Sequence, residues 1–171
     1  VESGLPLVGT REGDGCCAGA RGAGAGLNAM ELILWRHCDA KAGVPDELRP
    51  LSTRGRAEAA QMAAWIAARL PATARILVSP AVRTQQTAAA LARPFESDAA
   101  LAPGASVEAV LRAAGWPDAS RPTLIVGHEP TLGDVAAWLL DDDSGHRPLK
   151  KGAVVWLAQH RAGDAKAVLK V

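Results

Sequence analysis

The sequence predicts an α/β domain built as a three-layer α/β/α sandwich, with a mostly parallel sheet and an antiparallel edge. Short apolar runs typical of buried strands alternate along the chain with longer, alanine-rich segments typical of helices. Two of the apolar runs are followed, after one intervening residue, by a histidine. The last two strand-like runs are joined by a short turn, as in a hairpin at a sheet edge. The predicted order is β-α-β-α-(β)-α-β-α-β-β, which favours this class of fold.

Composition narrows the classes of partner and compartment. The chain has 171 residues, enough for one domain with a real core, and a formal net charge of +1. That charge gives no reason to expect nucleic acid or an anionic membrane as a partner. No apolar run approaches the roughly 20 residues that span a bilayer. The 3 cysteines show no metal-binding spacing, which favours a reduced, cytoplasmic compartment.

The first 29 residues differ in kind from the rest. Residues 1–29 are rich in Gly and Ala without apolar periodicity, so we expect a disordered extension that need not belong to the native protein. The segment also lacks the apolar core of a secretory signal. Met30 directly precedes the first strand, and we expect the folded domain to comprise residues 30–171.

The first strand ends in a group of reactive side chains. The apolar run from Leu32 to Trp35 is followed by Arg36, His37 and Cys38. In open α/β sheets, ligands bind just beyond the carboxyl ends of the strands. An arginine there can bind an anion, and a histidine can act as nucleophile or proton carrier. The alternative is that Arg36 and His37 only end a strand and face water.

A helix is predicted after a polar loop over 41–50. Ser52 and Thr53 are suitable N-caps, and Pro71 ends a helix that we expect to reach Leu70. Trp65 is interpreted as a core residue of this helix. The predicted buried stripe comprises Ala57, Ala60, Ala64, Trp65, Ala68 and Leu70.

A second strand over 74–78 leads into another helix. Ser79 is predicted to cap a helix over 81–92, with Pro80 near its first position. Arg83 lies on the first turn, where the helix dipole already favours anions. The alternative is a solvated helix arginine.

The remainder of the chain repeats the pattern of strand, histidine and helix. We predict a strand over 95–101, a helix over 106–114 closed by Gly115, a strand over 123–126, a helix over 131–140 and strands over 153–158 and 165–171. The strand over 123–126 ends in Gly127, His128 and Glu129. One such histidine is more often structural, but two at two strand ends favour a shared site.

If the three strand ends converge, two guanidinium groups and two imidazoles surround one site. Such a set suits a dianionic, tetrahedral phosphoryl group and does not suit a metal ion, which the arginines would repel. No glycine-rich loop followed by Lys-Ser/Thr is present, which argues against nucleotide hydrolysis of the P-loop kind. Ser79, His37 and Asp39 allow Ser-His-Asp chemistry in principle, although Ser79 lacks a nucleophile elbow.

Four ordered motifs carry a family resemblance. They are Arg36-His37, then Leu51-Ser52-Thr53-Arg54-Gly55, then Val78-Ser79-Pro80 with Arg83 and Gln86-Thr87, and finally Val126-Gly127-His128. As a set they resemble the histidine phosphatase superfamily, which has a phosphoglycerate mutase-like fold. The run from Leu48 to Ser52 is most similar to the small SixA-type phosphohistidine phosphatases. The resemblance covers essentially residues 30–171.

The resemblance implies a role for each matching position. His37 is the expected nucleophile, and Arg36, Arg83 and His128 are expected to bind the phosphoryl oxygens. Arg49 matches an arginine of the SixA-type pattern and is expected to contact phosphate or substrate. Water then hydrolyses the phosphoenzyme, and no metal or other cofactor is implied.

Two positions depart from the family pattern. Cys38 stands where the superfamily usually has glycine; it could narrow the pocket, confer sensitivity to oxidation if exposed, or act as a small inert filler. Glu129 stands where SixA-type proteins often have asparagine. It is a candidate general acid, and the alternative is an acidic residue stabilised by the helix dipole.

These observations predict a metal-independent phosphatase that forms a phosphohistidine intermediate. The expected substrate is phosphohistidine on a signalling or phosphotransfer protein, because a short chain has little room for the insertions that grip small molecules. The alternatives are a phosphatase for small phosphomonoesters and, from another class, a non-catalytic phosphate-binding module.

Overall fold

The computed structural model describes residues 29–171, in which one six-stranded sheet carries helices on both faces. The predicted extension therefore lies outside the described residues, apart from Ala29. The strands are β1 (Glu31–Arg36), β2 (Arg75–Val78), β3 (Glu96–Ser97), β4 (Thr123–Gly127), β5 (Val154–Gln159) and β6 (Ala167–Leu169). The helices are α1 (Thr53–Ala67), α2 (Val82–Ala89), α3 (Val107–Ala114) and α4 (Thr131–Leu139), with single 3₁₀ turns at Asp46–Leu48 and Ala99–Leu101. No helix in residues 29–171 combines the length and apolarity needed to cross a membrane.

The order of strands across the sheet is β3-β2-β4-β1-β5-β6. The first four strands are mutually parallel, whereas β5 runs antiparallel to β1 and β6 antiparallel to β5. The predicted mostly parallel sheet with an antiparallel edge is thus confirmed. Because β4 lies between β1 and β2, the carboxyl ends of these three strands are neighbours.

Alternation along the strands divides the core between the two faces of the sheet. In β1, Leu32 and Leu34 pack with α3 and α4, while Ile33 and Trp35 pack with α1 and α2. All four side chains are fully buried. Strands buried on both faces read as continuous apolar runs, which is why the sequence marks them clearly.

The buried face of α1 differs from the predicted stripe. Four members of that stripe are exposed (Ala57, Ala60, Ala64 and Ala68), and the helix ends at Ala67 instead of Leu70. The face that is buried comprises Gly55, Ala59, Ala63 and Ile66. Alanine occurs on every side of this helix, so it does not define a face. Gly55 defines the buried face instead, because the helix approaches the backbone closely at this residue. A Cβ there would lie 1.9 Å from the backbone oxygen of Asp39.

Two other elements are shorter than predicted, and one predicted helix N-cap is wrong. The second helix covers Val82–Ala89 only, and the weak third strand is reduced to two residues. Ser52 caps α1 by accepting a hydrogen bond from the N–H of Gly55, as expected. Ser79 does not cap α2, whose N-cap is Ala81 without a side-chain hydrogen bond. The hydroxyl of Ser79 has a different partner, described below.

Candidate active site

Backbone hydrogen bonds align the ends of three parallel strands. The N–H of His37, just after β1, donates to the carbonyl of Gly127 at the end of β4 (3.1 Å). The N–H of Ser79, just after β2, donates to the carbonyl of Val126 (3.1 Å). The sheet itself therefore brings the residues that follow β1, β2 and β4 to one place, at the edge where α/β folds bind ligands.

His37 is held as a neutral imidazole with a defined tautomer. Its Nδ1 lies 2.8 Å from the carbonyl oxygen of Cys38. A carbonyl only accepts hydrogen bonds, so Nδ1 carries the proton and Nε2 keeps its lone pair. Burial, together with the charges of Arg83 and Arg36, lowers the pKa of His37 from 6.5 to about 4, against an opposing effect of the Cys38 carbonyl. At neutral pH this side chain can act as a nucleophile through Nε2.

His128 faces the same site in the opposite tautomer. Nη2 of Arg83 donates to its Nδ1 (3.2 Å), so its Nε2 carries the proton and donates to Oγ of Ser79 (2.7 Å). Burial and the nearby charge of Arg83 lower the pKa of His128 to about 3. The ring centroids of His37 and His128 are 5.4 Å apart. The two imidazoles that the sequence places at separate strand ends are thus neighbours.

Arg83 lies on the first turn of α2 and is 5% exposed. Besides His128, its guanidinium donates to the backbone carbonyl of Asp46 (2.6 Å) and to the carboxylate of Asp46 (2.8 Å). Thr87, one turn further along α2, donates to the carbonyl of Arg83 and accepts the N–H of Cys38. Helix α2 is thereby tied to the segment that carries His37.

Arg36 is the last residue of β1 and approaches from the other side. Its Nη1 donates to the carbonyl of Leu149 (2.5 Å), and its Nε is buried without a hydrogen-bond partner among the described residues. Its positive charge contributes to the lowered pKa of both His37 and His128. The site is therefore cationic, as an oxyanion requires.

Arg49 reaches the site only through another residue. Its Nε donates to the carbonyl of Lys41 and its Nη1 to Oδ1 of Asp46, both at 2.7 Å. Asp46 in turn binds Arg83 through Oδ2. The family motifs in the sequence do not include Asp46. A signal was available in its position three residues before Arg49, within one turn of helix.

Glu129 is anchored through one oxygen. Its Oε1 accepts from the N–H of Leu149 (3.2 Å) and lies 3.1 Å from Nε2 of His146. Its Oε2 is buried and has no partner among the described residues. Glu129 lies two residues before the start of α4 and fixes the segment whose Leu149 carbonyl receives Arg36. Both predicted roles are compatible with this geometry, because Oε1 is engaged structurally and Oε2 makes no hydrogen bond within residues 29–171.

Two expectations about other residues can be resolved from the same contacts. The Ser-His-Asp arrangement of Ser79, His37 and Asp39 does not form, since Ser79 binds His128 and the carboxylate of Asp39 binds Ser52 and Lys151. Cys38 is fully buried, and burial raises the pKa of its thiol to about 11. This favours the inert-filler interpretation over sensitivity to oxidation.

The backbone at Cys38 has no need of glycine. Among the described residues, the non-glycine positions with positive φ are Ala92 and Asp141. Cys38 therefore adopts a conformation open to any residue. Within residues 29–171, no three His, Cys, Asp or Glu side chains are grouped so as to hold a metal ion.

Comparison with known proteins identifies relatives of the chain. Residues 32–104 match the family model described as histidine phosphatase superfamily (branch 1). Two uncharacterized proteins of Mycobacterium tuberculosis, from strains CDC 1551 and H37Rv, are 39% identical over 99 residues. That alignment covers 55% of this chain and 61% of each relative, so it spans less than two thirds of their length.

Solved structures extend the similarity over the whole described domain. A candidate phosphohistidine phosphatase SixA from Nakamurella multipartitia is 29% identical with a TM-score of 0.71, covering 85% of this chain and 96% of that one. The protein histidine phosphatase SixA complexed with tungstate is 25% identical with a TM-score of 0.69, covering 83% and 95%. A mycobacterial glucosyl-3-phosphoglycerate phosphatase shares the fold, at 20% identity and a TM-score of 0.61 over 84% and 98%. The chain is thus similar to the histidine phosphatase superfamily, and SixA-type members are among the solved structures that it resembles.

Proposed function

We propose that the protein is a metal-independent phosphatase that acts through a covalent phosphohistidine on His37. The observation that carries the proposal is the state of this side chain. Its Nδ1 proton is committed to the Cys38 carbonyl, and its Nε2 lone pair remains free in a buried, cationic site. A group that only binds phosphate has no need of an unprotonated nitrogen, so this feature favours catalysis over a phosphate-binding module.

The reaction divides into two transfers. The Nε2 lone pair of His37 forms a bond to phosphorus while the bond to the leaving group breaks, and the leaving atom takes the electron pair. Water then attacks phosphorus, the P–N bond breaks, and Nε2 recovers its electron pair as inorganic phosphate forms. Arg36 and Arg83 bind the non-bridging oxygens and stabilise the charge of the transition state, and His128 joins them when its Nε2–H turns from Ser79 to a phosphoryl oxygen.

The proposed substrate is phosphohistidine on a signalling or phosphotransfer protein, dephosphorylated in the cytoplasm. The two SixA relatives support it, because this chain covers 95% or more of each of them without large additions. Chemistry supports it as well. An imidazole departs from phosphorus more easily than an alkoxide, so the reaction makes less demand on Glu129, whose Oε1 is already engaged.

A small phosphomonoester is the alternative substrate. Oε2 of Glu129 favours it, because this oxygen is buried without a partner among the described residues and could donate a proton to an alkoxide. In this case Glu129 acts as the general acid. Hydrolysis of the two kinds of substrate should therefore differ in how strongly its rate depends on Oε2 of Glu129.

Trapping the intermediate tests the mechanism. The protein is mixed with an aryl phosphate in the presence of a chelator, quenched, and assayed for acid-labile phosphate by site-resolved mass spectrometry. We expect label on His37 and loss of turnover by at least about a thousandfold in His37→Asn. His160→Asn is the matched control, because His160 is exposed. Labelling that persists in His37→Asn contradicts the mechanism, and oxyanion binding without any turnover indicates a binding module.

A substrate panel tests the specificity. Rates on a phosphohistidine-bearing phosphotransfer domain are compared with rates on small phosphoesters, for the wild type and for Glu129→Gln. We expect the protein substrate to be preferred and to be nearly insensitive to Glu129→Gln. A preference for an alkyl phosphate, with a loss of about a hundredfold in Glu129→Gln, would instead establish the small-molecule alternative.

A further inference from the structure

The carboxylate of Asp46 joins two arginines of the site. Its Oδ2 lies 2.8 Å from Nη2 of Arg83, and its Oδ1 lies 2.7 Å from Nη1 of Arg49. The backbone carbonyl of Asp46 also accepts from Nη1 of Arg83, at 2.6 Å. Three acceptors from one residue thus bind two guanidinium groups that come from distant parts of the chain.

These contacts fix the plane of the Arg83 guanidinium. One Nη2 proton goes to Asp46 and the other to Nδ1 of His128, so the group is held between the two side chains. A guanidinium has five N–H donors, and three of those on Arg83 are used in these bonds. The two that remain, on Nε and Nη1, therefore have fixed directions before any oxyanion arrives. Preorganised donors of this kind are what a developing phosphoryl charge needs.

Asp46 also accounts for the presence of Arg49 beside Arg83. Two guanidinium groups repel each other, and the loop that carries Arg49 is largely exposed. The shared carboxylate offsets that repulsion. The hydrogen bond from Arg49 is also the main reason that the pKa of Asp46 is lowered, so the carboxylate stays charged to a more acidic pH than an ordinary aspartate.

We propose that Asp46 is a positioning residue of the oxyanion site, which orients Arg83 against His128 and brings Arg49 to the same phosphoryl group. The inference rests on the proposed function for its catalytic consequence, but its binding consequence is independent of turnover. The competing interpretation is that Asp46 occupies Arg83 as an internal anion and must leave before phosphate binds. The two interpretations predict opposite changes when the carboxylate is removed.

Direct binding of oxyanions to Asp46→Asn distinguishes them. Inorganic phosphate and tungstate are titrated into the full chain by calorimetry. We expect about tenfold weaker binding of both, because an amide can accept from one arginine but turns its NH₂ toward the other. Asp46→Glu should recover part of the loss. Glu47→Gln is the matched control, since Glu47 is exposed on the same turn and forms no ion pair with Arg49 or Arg83 within the described residues.

A double-mutant cycle separates positioning from a merely structural effect. If Asp46 acts through Arg49, Asp46→Asn should weaken oxyanion binding by less than about threefold in an Arg49→Gln background, whereas any change in melting temperature should stay additive. When Arg49 is intact, Asp46→Asn should raise KM and lower kcat together.

Three results would overturn the inference. Tighter oxyanion binding by Asp46→Asn would show an internal competitor, and an equal loss in Glu47→Gln would show an unspecific charge effect. Full additivity of binding losses with Arg49→Gln would show that Asp46 does not act through this arginine. Failure of the proposed function looks different: the wild type would bind oxyanions, with the expected loss in Asp46→Asn, but would turn over no phosphoester.

Discussion

The candidate site has two halves that are held together in different ways. One half lies at the strand ends and includes His37 and His128, which are 8% and 4% exposed and are aligned by backbone hydrogen bonds between strands. The other half is the rim formed by Asp46 and Arg49, whose side chains are 55% and 28% exposed and are held by ion pairs. The comparison indicates that the sheet topology determines where the reactive imidazoles lie. A network of side-chain ion pairs determines how the groups around them are oriented.

The largest expected effect comes from the residue that belongs to both halves. Arg83→Lys keeps a positive charge, but its single nitrogen cannot replace the two spaced nitrogens with which Arg83 reaches His128 and Asp46. We expect kcat to fall about a thousandfold, with oxyanion binding weakened as well. Arg112→Lys, on the exposed side of α3, is the matched control. A loss of less than about threefold in Arg83→Lys would mean that charge alone suffices and that the halves are not coupled.

As the pH falls, the strand-end half should lose its contribution to the free energy of unfolding before the rim does. The pKa values of His37 and His128 are lowered to about 4 and about 3, so below the ordinary value of 6.5 the unfolded chain takes up protons first. The stability that the folded protein gains by keeping both histidines neutral is therefore fully present above about pH 6.5, and it is lost as the pH falls toward 4. Each histidine contributes a slope of up to about 1.4 kcal/mol per pH unit.

Denaturant titrations between pH 7 and pH 5 measure that slope. The pKa of Asp46 is lowered from 3.8 by its hydrogen bond with Arg49, so its stabilising effect is lost only at more acidic pH. We expect His128→Gln to reduce the slope and Asp46→Asn to leave it unchanged in this range. A slope that responds to Asp46→Asn instead would contradict the division into two halves.

The smallest effect is expected at Cys38. Although Cys38 directly follows His37, its buried thiol has a pKa raised to about 11 and is protonated. Cys38→Ala should keep kcat/KM within about twofold, because alanine fits the same backbone and removes only one packed atom. Site-resolved alkylation should leave Cys38 unmodified until the protein unfolds. Alkylation of the folded protein at this position would show that the strand-end half opens more than its burial indicates.

The strand-end half was largely predictable from sequence. Doubly buried strands appear as uninterrupted apolar runs, so the positions of His37 and His128 directly after such runs identify the edge of the sheet at which they lie. The parallel order then brings them together. The family resemblance adds Arg83, which by itself reads as an ordinary helix arginine.

The rim and some local details were not predictable, for physical reasons. Asp46 lies 37 positions from Arg83, and Ser79 lies 49 positions from His128, so no local spacing indicates these pairs. Serine before proline is typical of a helix cap, so the sequence around Ser79 predicts a cap where the hydroxyl in fact binds His128. The rotation of α1 depends on one close backbone approach at Gly55, which an alanine-rich pattern conceals.

The central place of β4 has a consequence for the order of events during synthesis. Strands β1 and β2 do not pair with each other, and β4, the last of the three to leave the ribosome, fills the gap between them. A nascent chain that ends before Thr123 lacks the backbone partners of His37 and Ser79 as well as His128 itself. The anion pocket therefore assembles only after most of the domain has been made, and incomplete chains carry its arginines without the scaffold that gathers them.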